Sequence, residues 1–124
     1  MPKGIRIIVG SVTVNGELDD TLCAEAVYEM LPIETEPREW GDEFYFEIGL
    51  AFADDETSTT SVRIGDIGFW PPGNALAVFF GRTPASRGAD PVPASAVNIV
   101  GRITGDATVL RKAKGAPVIR IERA

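Results

Sequence analysis

Among the side chains that do most protein chemistry, this 124-residue chain has no histidine and a single cysteine, Cys23. Without histidine, neither a Ser-His-Asp nor a Cys-His site can be assembled, and the commonest general base and metal ligand is missing. A zinc site would need an unusual all-carboxylate set, so no metal and no other cofactor is expected. One cysteine forms no intrachain disulfide. Carboxylates are plentiful and come in pairs: Asp19-Asp20, Asp42-Glu43 and Asp54-Asp55. Each pair falls in a predicted turn or helix cap, where aspartate is favoured for backbone reasons and is ordinarily solvated. Asp42-Glu43 stands apart because it abuts Trp40 and the run Phe44-Tyr45-Phe46. Glu43 would share a strand face with Tyr45, and there it could bind a cation or a peptide amide. Arg38 is the only base between Arg6 and Arg63 and stands among Glu34, Glu36, Glu39 and Glu43. As a surface salt bridge it would contribute little. In a pocket it would donate hydrogen bonds to a carbonyl.

The remaining candidate is residues 65–81, GDIGFWPPGNALAVFFG. Its glycines fit no phosphate-binding spacing, no P-loop lysine is present and no helix follows, so nucleotide binding is not expected. Leu76, Val78 and Phe80 face one way, and Ala75, Ala77 and Phe79 the other. Trp70 precedes the rigid Pro71-Pro72-Gly73 turn, and tryptophan is often only partly buried. The expected pocket has Trp70, Phe80 and Tyr45 on its border, Phe69 and Glu43 beside them and Arg38 at its rim. The proline-rich loop from Thr83 to Ser95 closes over them. Ligand sites favour such apolar walls with a few polar groups. The competing reading is that these aromatics simply fill the interior of a small barrel. Because Phe79 and Phe80 alternate, only one of them can face a depression.

Those residues need elements to hold them. Ile5, Ile7, Val9, Val12, Val14 and Leu18 alternate with a period of two, which means strand. Asn15-Gly16 is the stronger local turn signal. A turn at Gly10-Ser11, however, pairs Val9 with Val12 and Ile7 with Val14 on one buried face, and register follows burial. Asp19 or Asp20 is expected to cap a helix with Leu22, Ala26, Val27, Met30 and Leu31 on one face, stopped by Pro32. Cys23 reads as a small packed residue within it. IETEPREW, with its proline, reads as a strand near an edge. Trp40-Gly41-Asp42 makes a turn, and Phe44, Phe46 and Ile48 then point one way with Tyr45 and Glu47 the other. AFADDETSTT is a loop, Val62 and Ile64 open another strand, and Val97 to Ile103 is a further one. Asp106 caps a short helix ending in Arg111-Lys112-Ala113-Lys114 and closed by Gly115, its bases suiting the helix dipole. Val118 to Glu122 is the last strand. Seven or eight mainly antiparallel strands and two helices, one longer and one short, in one domain over residues 1–124 suggest a closed barrel plugged at its ends.

The net charge is −6 with three lysines, which argues against nucleic acid or an anionic membrane as partner. The longest apolar run, Ala75 to Phe80, is far short of the ~20 residues of a membrane span. The N-terminus lacks a signal-peptide pattern, so a cytoplasmic protein is expected. Residues 1–60 carry 14 acids and 3 bases, whereas residues 61–124 carry 4 and 9. Either the two halves pack with mixed surface charge, or an acidic face attracts a cationic partner.

GDIGFWPPGNALAVFFGRTP, PASAVNIVGRI and REWGDEFYFEI together closely resemble the small prokaryotic cyclophilin-like domain family, over essentially the whole chain. The resemblance implies a closed, eight-stranded cyclophilin-like β-barrel with helices at its ends. A more distant similarity runs to the cyclophilin peptidyl-prolyl isomerases. It places Phe79-Phe80 near the proline pocket, Val97 where the isomerases carry a histidine, and Arg38 or Pro37 near their essential arginine. Their site is at best half present. The expected function is therefore binding of a peptide or small molecule in the aromatic pocket without strong catalysis. A divergent prolyl isomerase is the alternative. Other prokaryotic cyclophilin-like domains resemble amidohydrolase-associated subunits, which makes an accessory subunit of a metabolic enzyme a third reading.

Overall fold

The computed structural model describes residues 1–124. β1 (Lys3–Val9) and β2 (Val12–Leu18) form the first hairpin, with Val9 opposite Val12 and Ile7 opposite Val14. The turn lies at Gly10-Ser11, and Asn15-Gly16 continue inside β2. The buried face decided between the two turns: Ile5, Ile7, Val9, Val14 and Leu18 are all buried in this register. α1 (Leu22–Glu29) follows, capped by Thr21, whose hydroxyl accepts from the Ala24 N–H at 3.1 Å. Neither Asp19 nor Asp20 is the cap. Asp19 is held by Arg102 at 2.9 and 3.0 Å, and Asp20 by the N-terminal amine. The helix buries Cys23, Ala24 and Val27, while Leu22 is 76% exposed. Small residues at 23 and 24 let the helix sit close to the sheet, with Asn98 Nδ2 3.7 Å from Cys23 Sγ. The expected face was therefore rotated.

IETEPREW forms two short strands instead of one, β3 (Ile33–Thr35) and β4 (Arg38–Glu39). The others are β5 (Glu43–Glu47), β6 (Ser58–Thr59), β7 (Asp66–Trp70), β8 (Ala75–Phe79), β9 (Val97–Ile103) and β10 (Ile119–Arg123). Val62 and Ile64 lie outside them, because an Arg63–Asp66 turn, with Asp66 Oδ2 accepting from the Arg63 N–H, delays the start of β7. The strand order is β3-β10-β1-β2-β9-β7-β8-β5-β4, antiparallel throughout, with β6 beside β9. This path has two ends, so the sheet curls into an open half-barrel and not the closed eight-stranded barrel expected. The physical reason sits at residues 36 and 37. β3 and β4 are consecutive in the chain, but Pro37 has no N–H to give to a ladder, and each strand turns to a different neighbour.

One core fills the concave side, from β1, β2 and α1 to β5, β7, β8 and β10. Phe44 and Phe80 meet there with ring centroids 4.7 Å apart. The second helical segment, Ala107–Ala113, is a 3₁₀ helix capped by Asp106, and it adds Ala107, Leu110 and Ala113 to this core. The charge imbalance between the sequence halves is taken up by ion pairs that join them. Arg102 meets Glu17 and Asp19, Arg111 and Lys114 meet Asp42, Arg120 meets Glu34, and Arg123 meets Glu29. No helix is long and apolar enough to cross a membrane.

Candidate functional site

The aromatic stretch has two buried faces. On the concave side, Phe44, Phe46, Ile67, Phe69, Leu76, Val78 and Phe80 enter the main core. Their alternates on the convex side build a second, smaller apolar cluster: Val62, Ala77, Phe79 and Val97, with Tyr45, Trp70 and Ile99 packed against it. Register explains the grouping, since Glu43 lies opposite Phe79 and Tyr45 opposite Ala77. Gly68 keeps the floor of this cluster open. A Cβ there would stand 2.8 Å from Val97 Cγ2, so only glycine lets Val97 lie across β7.

Above this floor is a depression of about 150 Å³. Trp40, Trp70, Tyr45 and Glu43 are among the residues that line it. Trp70 is half-buried, its ring lying across Gly73, where a Cβ would come within 2.7 Å. Its indole N–H donates to Ser95 Oγ at 2.6 Å. That bond ties the wall to the end of the proline-rich loop, whose Pro93 and Ala94 also line the depression. The loop is folded back on itself: the Thr83 hydroxyl donates to the Val92 carbonyl, and Ser86 Oγ to the Asp90 carbonyl at 2.8 Å.

Glu43 is the polar exception. It is 7% exposed, and its Oε1 is buried without a hydrogen-bond partner. Burial pushes its carboxyl from the ordinary 4.5 up to about 7, and no charged neighbour contributes to the shift. Its chain neighbour Asp42 faces the opposite situation. Burial alone would raise Asp42, but hydrogen bonds from Arg111 at 2.8 Å and Lys114 at 3.1 Å hold it below the usual carboxylate range. Two adjacent carboxylates are thus driven apart by environment, a pattern found at functional sites and in structural ion-pair networks.

Of the residues singled out from sequence, Trp70, Tyr45 and Glu43 come together here. Phe69 and Phe80 do not. Both are fully buried in the concave core, and Phe79 supplies the floor in place of Phe80. Arg38 lies opposite Tyr45 in β4, but its side chain is exposed, pairs with no carboxylate and is not part of the lining. Trp40 was not singled out as a lining residue, whereas Pro93 and Ala94 belong to the loop expected to close over the pocket. Trp40 could have been found from its place two residues before Asp42-Glu43, where a tight turn brings its N–H to the Glu43 carbonyl at 3.0 Å. Val97, the position matched to the isomerase histidine, lines the depression with an apolar side chain. No group of three or more His, Cys, Asp or Glu side chains is placed to hold a metal ion.

No functionally curated protein matches the chain. Among solved structures, a hypothetical protein from Archaeoglobus fulgidus is similar, with a TM-score of 0.81 and 34% identity over 99% of this chain and 95% of that one. McbB, whose structure was solved in complex with tryptophan, shares the fold, with a TM-score of 0.74 and 18% identity over 96% of this chain. The chain spans 44% of McbB. The family model described as cyclophilin-like matches residues 3–122, and with that match the chain belongs to the cyclophilin-like family.

Proposed function

We propose that this domain binds a small molecule or a peptide side chain in the convex depression, without strong catalysis. The observation that supports this reading is a preformed, aromatic-walled concavity on a rigid sheet, lined by seven hydrophobic residues of nine. An apolar space of about 150 Å³ suits a single ring. Prolyl isomerisation has an uncatalysed barrier of about 18–20 kcal/mol. Lowering it takes a preorganised donor to the proline amide region. Here the arginine is outside the lining and valine stands at the histidine position. A proline-isomerisation assay is therefore expected to show no turnover above the uncatalysed rate, and turnover abolished by Arg38→Ala would refute the binding reading.

The chain has two tryptophans and both wall the depression, so intrinsic fluorescence reports on the site. Titration with benzyl alcohol is expected to give a saturable change. Trp70→Ala should weaken that binding about tenfold or more, a loss of about 1.4 kcal/mol. Its stability should fall by much less than the about 3–5 kcal/mol of a filled-core aromatic, because the ring is only half-buried. A Trp70→Ala variant that loses the full core amount would return Trp70 to the interior and end the pocket reading.

A further inference from the structure

We infer that Glu43 is the anchor for an ammonium group, and that the depression takes a primary amine carried on an aromatic or branched apolar body. The inference rests on the binding function proposed above and names its ligand class. Glu43 is more than nine-tenths buried, and Oε1 has no donor from the protein. A buried acceptor left without a partner is expensive to keep, and a donor brought by a ligand would remove that expense. The walls point to the same ligand. Trp40, Tyr45 and Trp70 line the same depression as Glu43, and aromatic faces attract a cation within about 6 Å of the ring centroid. An anionic ligand finds no cation in the lining, since Glu43 is the only charged residue there. A divalent metal ion does not fit the donor set either, because it wants several oxygens and one carboxylate stands among rings.

The proton balance is simple. An ammonium beside the carboxyl favours its charged form, so binding near neutral pH displaces the proton held on Glu43. The groups that surround Glu43 leave it free to respond in this way. The turn contributes Trp40 and β5 contributes Tyr45, the other ionisable residue in the lining. β8, β9 and the loop bring only Phe79, Ala77, Val97, Pro93 and Ala94. Asp42 is held by Arg111 and Lys114.

The test titrates the protein with benzylamine, benzyl alcohol and benzoate at pH 6 and pH 8, read by tryptophan fluorescence. Benzylamine is expected to bind about tenfold more tightly at pH 8 than at pH 6, as Glu43 passes from mostly protonated to mostly ionised. Benzyl alcohol is expected to show no such change, and benzoate to bind more weakly at pH 8. Glu43→Gln should abolish the pH dependence for benzylamine. Phenylalanyl-glycine amide, with a free N-terminus, separates the sources of the amine. Tighter binding than benzylamine assigns the site to a peptide N-terminus, and weaker binding assigns it to a free amine. Should Glu43→Gln not fold, carbon-13 titration of the wild-type Glu43 carboxyl serves instead, and saturating benzylamine should lower its midpoint. Equal, pH-independent binding of benzylamine and benzyl alcohol overturns the ammonium anchor and leaves the binding function standing. Absence of binding by all the probes at both pH values overturns both.

Discussion

Phe80→Ala is expected to destabilise the protein by about 3–5 kcal/mol while leaving ligand titration at the depression unchanged in the folded fraction. The ring is fully buried, it packs against Phe44 at 4.7 Å between centroids, and it belongs to the concave core and not to the convex cluster. Truncation leaves a void in the concave core beside Phe44 that close-packed neighbours cannot collapse to fill, so a cavity contribution adds to the lost transfer energy. Urea denaturation followed by circular dichroism measures the loss. A drop of less than about 1 kcal/mol would place Phe80 outside the core. Loss of benzyl alcohol binding at full occupancy of the folded state would return it to the depression. The comparison with Trp70→Ala is informative because the two aromatics stand on opposite faces of the same sheet region.

The second large effect is on the pH dependence of stability. Glu43 titrates at about 7 in the folded protein, against 4.5 for an ordinary glutamate. Below 4.5 both the folded and the unfolded chains hold this proton. Between 4.5 and 7 only the folded chain does, so stability falls as pH rises through that window, and the loss is complete above 7. The displacement corresponds to about 3 kcal/mol. In Glu43→Gln the side chain stays neutral at every pH. Its stability relative to the wild type should therefore improve by about 3 kcal/mol between pH 4 and pH 8, measured by denaturant midpoints across the range. A constant difference between the two proteins would mean that Glu43 is solvated. A protein that keeps an unpartnered carboxyl in an apolar depression at some expense to its own stability is also one whose ligand can return that stability on binding.

Much of the framework was legible from residue types alone. Alternation marked β1, β2 and β5, and the segments of β8 and β9 also read as strands. Weighing the buried face above the local Asn-Gly signal placed the first hairpin correctly at Gly10-Ser11. Asp106 and Gly115 bounded the second helical segment. Local preference was a poorer guide where a side chain had a distant claim on it. Asp19 looks like a helix cap, but Arg102, 83 residues away, holds its carboxylate, and Thr21 caps instead. IETEPREW reads as one strand, and it became two because its halves found partners at opposite ends of the sheet order.

The candidate site divides along the same line. Sequence by itself determined the family, the mainly β architecture, the absence of histidine chemistry and the set of residues that alternate with one another, because composition and period-two patterning are local properties. It also put Tyr45 and Glu43 on one strand face and Trp70 beside a rigid turn. Tertiary structure decided which of Phe79 and Phe80 faces outward, since both faces of β8 are apolar and covered, and alternation relates neighbours without saying which side is the core. It decided that the sheet stays open and that Arg38 is left outside the depression. It decided above all the state of Glu43. A carboxyl in a turn-and-strand sequence is ordinarily wet. This one is dry because Phe79, 36 positions on, pairs across from it, and Pro93, 50 positions on, lines the same depression. Desolvation is the sum of what surrounds a group in space, and no window of sequence contains that sum.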